Sequence, residues 1–260
     1  MFPKMRSTWR VIPLSQGAGT EQMAIDSWLL DQHVRGLQPP TLRFYTWSQP
    51  TISLGYHQRQ FPEHWNNLSY QGESVALVRR PTGGRAVLHQ GDLTYALVTS
   101  GVSGSRRAVY ERLCQFLIEA WKMLGIELGF GLAGRGYIKN PNCFGTATTA
   151  DLVMRDGYKL IGSAQVYRER CVLQHGSIRL RPDSNLYLKV FGERITQPKI
   201  PPSLASTGLT STEGLNKIVL ALTAAAQRSF GVEFESQAMT VAAVKESITH
   251  WLTKSEMPST

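Results

Sequence analysis

The sequence predicts an α+β protein in which helices pack on a mixed or antiparallel sheet. Short apolar runs bounded by Pro or Gly, typical of strands, fill the middle of the chain. Longer segments with apolar residues at helical spacing lie before, between and after these runs. The length of 260 residues fits one domain over residues 1–260. We expect its core at about 20–195 and a C-terminal helical portion at about 212–254.

The helical segments carry clear start and stop signals. Thr20 is a candidate N-cap for the first, and Gly36 and Gly125 are candidate stops for the first and second. The predicted helices cover residues 21–34, 105–124, 212–230 and 240–254.

The strand runs are short and separated by turn residues. Asp156-Gly157 predicts a tight hairpin in which both central residues have positive φ. Residues 195–211 are rich in Pro, Ser and Thr and predict an exposed connection. The predicted strands cover residues 42–47, 51–54, 75–79, 93–99, 151–155, 158–166 and 171–181.

The charge balance favours an anionic partner. Lys and Arg number 28 against 19 Asp and Glu, a formal net charge of +9. Nucleic acid, a membrane surface and an acidic protein all fit this excess. The basic N-terminus lacks the apolar stretch of a signal peptide, and no run reaches the roughly 20 apolar residues of a membrane span. We therefore expect a cytoplasmic protein that does not bind membranes.

The three cysteines differ in their sequence surroundings. None forms the C-x-x-C spacing of a zinc or redox site, so we expect free thiols and no metal. Cys114 lies within a predicted helix and Cys171 begins a strand, which indicates structural roles. Cys143 follows Asn140-Pro141 in a loop-like segment, where a thiolate nucleophile is one interpretation and an inert core cysteine the other.

Two further motifs could bind a ligand. In the segment RRPTGGRAVLH, adjacent glycines permit close backbone approach and the arginines could hold an anion. The alternative is a hairpin turn with solvated arginines. In GYKLIGSAQ, strand alternation predicts Lys159, Ile161, Ser163 and Gln165 on one face. That face could contact a polar group, with Lys159 as a cation for Cys143, or it could be an ordinary solvent-facing strand.

Together these segments resemble the lipoate protein ligase and octanoyltransferase family. RRPTGGRAVLHQGDLTY is similar to its acyl-binding signature and YKLIGSAQ to its lysine segment. The segments MAID, PTLRFYTWSQPTISLGYHQ and LQHGSIRL also match, in the same order, over roughly residues 20–181. The resemblance implies a catalytic domain like that of biotin protein ligases and class II tRNA synthetases.

The resemblance also implies roles for individual residues. Cys143 would be the nucleophile and Lys159 would lie near the acyl carbonyl. Relatives commonly have an acidic residue directly after the histidine, where this chain has Gln90. If that acid orients the histidine in relatives, Asp92 would have to orient His89 here. The implied substrate-binding residues are Arg80, Thr82, Gly83, Gly84, Arg85, His89, Gly162 and Ser163.

The cysteine-dependent branch implies octanoyl transfer without a cofactor. Octanoate would pass from acyl carrier protein to Cys143 as a thioester, and then to a lysine of a glycine-cleavage H protein or a dehydrogenase lipoyl domain. Arg85, where ligases usually have a third glycine, also resembles this branch. An ATP-dependent lipoate ligase, an amidotransferase between carriers and a non-catalytic binder remain alternatives. Nucleic-acid binding is the weakest, since the basic residues form no known reader motif.

Overall fold

The computed structural model describes residues 7–131, 151–192 and 200–255. Its strands are β1 (Thr8–Gly17), β2 (Thr41–Trp47), β3 (Thr51–Leu54), β4 (Ser69–Tyr70), β5 (Glu73–Ser74), β6 (Ala76–Arg79), β7 (Val87–His89), β8 (Asp92–Ser100), β9 (Leu128–Phe130), β10 (Asp151–Met154), β11 (Lys159–Arg168), β12 (Cys171–Arg179) and β13 (Glu233–Ser236). Its α-helices are α1 (Gly19–Val34), α2 (Arg106–Met123), α3 (Ser184–Phe191), α4 (Pro202–Ala205), α5 (Thr212–Phe230) and α6 (Val241–Ser255).

The main sheet has eight strands in the order β13-β1-β2-β8-β12-β11-β10-β9. The pairs of β1 with β13 and with β2 are parallel, and the remaining pairs are antiparallel. A smaller sheet in the order β6-β3-β7 lies beside it. The predicted α+β class with a mixed sheet is therefore confirmed.

The main sheet separates two hydrophobic clusters. In β8, Leu93, Tyr95 and Leu97 face the cluster that includes α2 and α5, whereas Ala96 and Val98 face the cluster that includes α1. This alternation follows from the two-residue repeat of a strand. Helices cover both faces, so β8 is buried from Asp92 to Thr99.

Helix α1 is buried almost all round its circumference. Its apolar side contacts the sheet, and α6 packs against it from outside. This second layer explains why polar residues such as Gln22 and Asp26 are buried in α1 as fully as its leucines. The sequence predicted the helix, but an amphipathic pattern does not indicate a second covering helix.

The predicted strands and the four long helices are confirmed to within a few residues. The sequence analysis did not predict β1, in which the register with β2 shifts between Ile12 and Ser15 around Pro13. Proline lacks the N–H that a regular ladder needs, so it hid the strand pattern. Helix α3, with its N-cap Asp183, was also not predicted.

Two predictions about turns and loops were wrong in part. In the β10–β11 turn, Gly157 has φ +85° but Asp156 keeps a negative φ, so only one residue adopts the left-handed conformation. Residues 195–211 were expected to form an exposed connection, and most of the described residues 200–211 are exposed or half-buried, but the segment is not a plain loop. In the described part of that segment, α4 forms and Leu204 and Leu209 join the core, because they pack on the same cluster as α5.

Candidate active site

A cavity lies between the α1 side of the main sheet and the smaller sheet. It encloses about 590 Å³ including the open solvent at its mouth. Its wall combines apolar side chains with a few buried polar groups. The lining residues are Met23, Tyr45, Trp47, Ser53, Arg80, Gly84, Val87, His89, Thr94, Asp151, Gly162, Ser163, Ala164, His175, Gly176 and Ser177.

Arg80 organises the glycine-containing loop at the cavity edge. Its guanidinium donates to the carbonyls of Ser53, Gly83 and Arg85, at 2.8, 2.7 and 2.7 Å. A buried guanidinium is stable only when its donors are used, and here main-chain oxygens use them. Arg80 therefore shapes the loop, in addition to lining the cavity.

The same loop touches β3 at a point where only glycine fits. A Cβ at Gly55 would lie 1.9 Å from the carbonyl oxygen of Gly84, whose φ of +95° also favours glycine. Gly55 follows β3 directly, so this contact sets the distance between the loop and Ser53 of that strand. The cavity edge thus depends on close backbone approach.

We expect Gly55→Ala to displace the loop and lower activity by about tenfold or more, because the backbone contact has no flexible side chain that could yield. Steady-state transfer assays and thermal unfolding would measure the effect. Gly129→Ala is the matched control, since a Cβ there would meet no atom within 4 Å. Equal activity of the two variants would contradict the importance of this contact.

His89 belongs to a buried chain of hydrogen bonds. Its Nε2 lies 2.8 Å from Oγ of Ser53 and its Nδ1 lies 2.9 Å from Oδ2 of Asp92. That oxygen also accepts from Ser177 at 2.6 Å. Trp47 stacks on the imidazole at 3.9 Å between ring centroids. Asp92 therefore does orient His89, while Gln90 accepts the main-chain N–H of Asp183 instead.

A second chain of the same type reaches the cavity from α1. His175 lies 2.6 Å from Oγ1 of Thr82 through Nε2 and 2.8 Å from Oδ2 of Asp26 through Nδ1. Asp26 also forms an ion pair with Arg43 at 3.1 Å and accepts from Tyr45 at 2.9 Å. Thr82 thereby fixes the loop to β12 and α1.

Lys159 is buried and forms an ion pair with Asp151 at 2.9 Å. In the β10–β11 ladder, Val153 pairs with Lys159 and Leu152 pairs with Ile161, so Leu160 is an extra residue. This bulge corrects the predicted alternation. Asp151 is the register partner of Gly162, and Lys159 lies beside Asp151 on that face of the sheet. The expectation that Lys159 shares the face of Ile161 and Ser163 was therefore wrong.

The small residues predicted in β11 are packed against β12. Ser163 pairs with Gly176, and a Cβ at Gly176 would lie 2.4 Å from Oγ of Ser163. Ser163 also shares a hydrogen bond of 2.9 Å with the hydroxyl of Tyr95. Absence of a side chain at Gly162 and Gly176 keeps this part of the cavity wall open.

Both cysteines that the structure describes are poor nucleophiles. Cys114 is fully buried, and burial raises the pKa of its thiol to about 12. Burial also raises the pKa of Cys171 above its ordinary value, with a smaller contribution from Glu169. The structural roles expected for these two cysteines fit their burial. Cys143 lies outside the described residues.

The structure brings most of the predicted site residues together. Arg80, Gly84, His89, Gly162 and Ser163 line the cavity, and Lys159 contacts it through Asp151. Thr82, Gly83 and Arg85 belong to the loop without lining it.

Sequence reasoning gave no role to several lining or supporting residues. Asp26, Ser53 and His175 did stand in segments that resemble the family, whereas Asp151 lies outside those segments and gave no signal.

The described residues also limit other kinds of site. In the three described ranges, no group of three or more His, Cys, Asp or Glu side chains is arranged to hold a metal ion. Among the helices in these ranges, none has both the length and the apolar character that crossing a bilayer requires.

Known proteins share both this sequence and this fold. The chain matches the family model of the lipoyl protein ligase A/B catalytic domain over residues 18–229. It is 39% identical over 187 residues to octanoyltransferase LipM of Kyrpidia tusciae, covering 68% of this chain and 67% of that protein. It is 36% identical over 195 residues to octanoyltransferase LipM of Halalkalibacterium halodurans, covering 71% and 70%.

Solved structures agree at the level of the fold. A lipoate protein ligase of Thermoplasma acidophilum with bound lipoic acid superposes with a TM-score of 0.72, at 18% identity, over 95% of each chain. A lipoate-protein ligase A bound with ATP also superposes with a TM-score of 0.72, at 19% identity and the same coverage. The chain therefore belongs to the lipoyl protein ligase A/B catalytic domain family, in its octanoyltransferase branch, and is an acyltransferase.

Proposed function

We propose that this enzyme moves an octanoyl group from acyl carrier protein to a lysine of a lipoyl-accepting protein, through a thioester on Cys143. The observation that carries the proposal is the cavity itself. Trp47 and Val87 give it an apolar wall, and the Lys159–Asp151 ion pair lies at its edge. An apolar wall suits a medium acyl chain, and a buried cation suits the thioester carbonyl.

The transfer divides into two balanced steps. The Cys143 thiolate forms a bond to the octanoyl carbonyl carbon while the donor C–S bond breaks and the donor leaves as a thiolate. The acceptor amine then forms the amide bond with loss of a proton, and the Cys143 C–S bond breaks to restore the thiolate. Lys159 is suited to stabilise the thiolate or the oxyanion of either step. The donor thioester is already activated, so no ATP is needed.

Two properties of the chain support this proposal. Cys143 precedes Asp151 by eight residues in the sequence. Asp151 is the first residue of β10 and the ion-pair partner of Lys159. The net charge of +9 favours association with acidic carrier proteins, whether the acceptor is an H protein or a lipoyl domain. Because α5 packs on α2 and α6 packs on α1, we also propose that residues 1–260 work as one catalytic domain.

The test is to incubate the purified enzyme with octanoyl-acyl carrier protein, without ATP, and record its intact mass. We expect a gain of one octanoyl group that hydroxylamine removes, and transfer of that group when an apo lipoyl domain is added. Absence of the adduct, with labelling by free lipoate only when ATP is present, would contradict the proposal and favour a ligase. Acylation with an octanoyl lipoyl domain as donor would favour an amidotransferase.

We expect Trp47 to limit the length of the acyl chain. It is the largest side chain that lines the cavity, and its ring is fixed by the stack on His89 and by a 3.0 Å hydrogen bond to Thr94. Trp47→Leu should raise the preference for decanoyl over octanoyl donors by about tenfold or more. Competition between the two donors would measure this. Trp9→Leu, which changes a tryptophan stacked on Phe230, should leave the preference unchanged.

A further inference from the structure

The acceptor lysine must lose a proton when its amine attacks the acyl-enzyme, and the cavity contains a group able to accept it. Ser53 and His89 both line the cavity, and their side chains are 2.8 Å apart. His89 is in turn 2.9 Å from Asp92. A hydroxyl, an imidazole and a carboxylate thus form one continuous chain that begins at the cavity wall.

The direction of the hydrogen bonds follows from the carboxylate. Asp92 accepts hydrogens only, so the proton of the imidazole is on Nδ1 and Nε2 has a lone pair. The Ser53 hydroxyl therefore donates to Nε2. Arg80 donates to Oγ of Ser53 at 3.3 Å and fixes that hydroxyl from the other side. Ser53 is oriented to receive a proton from the cavity as it passes its own to His89.

The second histidine chain is less suited to this task. Asp26 already pairs with the cation Arg43, so its charge is compensated before His175 gains a proton. Thr82 is fully buried and does not line the cavity. Asp92, in contrast, contacts only hydroxyls besides His89, and within the described ranges its Oδ1 has no hydrogen-bond partner. Its charge is therefore available to stabilise an imidazolium.

Lys159 is already engaged, because its Nζ lies 2.9 Å from Oδ2 of Asp151. We propose, resting on the proposed function, that His89 accepts through Ser53 the proton that the acceptor amine releases during its attack on the acyl-enzyme. The N–H proton moves to Ser53 while the Ser53 proton moves to Nε2. The thiolate of Cys143 leaves, and His89 later returns the proton to it or to solvent.

The surroundings of His89 keep it ready for this role. Burial is the main cause that lowers its pKa, which Asp92 opposes, while Arg80 and His175 add to the lowering. Among the described residues, these charged and titratable groups act on the ring. The imidazole is therefore neutral at pH 7, and the Nε2 lone pair that accepts from Ser53 can take up a proton. Below the lowered pKa the proton acceptor is lost, so aminolysis should slow as the medium becomes acidic.

The test separates the two half-reactions in His89→Gln and Ser53→Ala. Each variant is acylated with octanoyl-acyl carrier protein, and transfer to an apo lipoyl domain is followed in a single turnover from pH 6 to 10. We expect both variants to form the octanoyl adduct and transfer to be slowed about 100-fold at pH 7, with the deficit shrinking as pH rises because hydroxide then takes the proton in place of His89.

His33→Gln is the matched control, because His33 also makes two hydrogen bonds but lies in the last turn of α1 and does not line the cavity. It should match the wild type in both steps. Formation of the adduct by the site variants also shows that they are folded. Unchanged transfer in both site variants would overturn the proton-acceptor role, as would a deficit that stays the same from pH 6 to 10. Failure of the wild type to form an adduct would refute the proposed function itself, which is a different result.

Discussion

Cys143→Ala should not form an octanoyl adduct and should transfer octanoate at least about 10³-fold more slowly than the wild type, since removal of the proposed nucleophile eliminates the covalent route. Intact mass after incubation with octanoyl-acyl carrier protein would show the missing adduct, and a coupled assay with an apo lipoyl domain would show the lost transfer. The size of the effect follows from the absence of a substitute among the described cysteines. Cys114 is buried with a strongly raised pKa, and Cys171 is also buried.

Cys171→Ala provides the control for this experiment. It also removes one thiol, but from a side chain that packs with the α1 cluster and does not line the cavity. We expect full acylation and a loss of stability of about 1 kcal/mol or less. If Cys143→Ala still acquired the octanoyl group while Cys171→Ala did not, the assignment of the nucleophile would be wrong.

The sequence predicted most of the main sheet because local patterns are strong there. β8 is buried on both faces, and the mostly apolar run over residues 93–99 that defines the strand in the sequence follows from that burial. β1 carries a proline and a register shift, and its position depends on pairing with β2 and β13, which are distant in sequence. Long-range pairing of this kind has no local signature, so the strand was not predicted.

The candidate site was predictable in part for the same reason. The loop motif gave Arg80 and Gly84, and Asp92 was already the candidate to orient His89. Ser53 could not be found, because its role arises from the antiparallel pairing of β3 with β7. The position of Lys159 was also missed, since a bulge of one residue changes which face a side chain occupies. Asp151 is adjacent to Lys159 only through that pairing.

Lys159→Met should lose both stability and activity, and the two losses can be separated. Removal of the ammonium leaves the carboxylate of Asp151 buried without that partner, which should lower the free energy of unfolding by about 3–5 kcal/mol. Loss of the cation that we propose to act on the thioester should slow transfer by about 10²–10³-fold. Denaturant unfolding and single-turnover acylation would measure the two effects independently.

The double variant Lys159→Met/Asp151→Asn distinguishes chemistry from folding. It removes both charges, so most of the stability should return while transfer stays slow. Lys217→Met is the matched control, because Lys217 forms an exposed ion pair with Glu213 at 3.0 Å and such pairs contribute about 0–1 kcal/mol. If activity returned together with stability in the double variant, Lys159 would be a structural residue only. If activity stayed low in a fully stable protein, the cation itself would be required for the transfer.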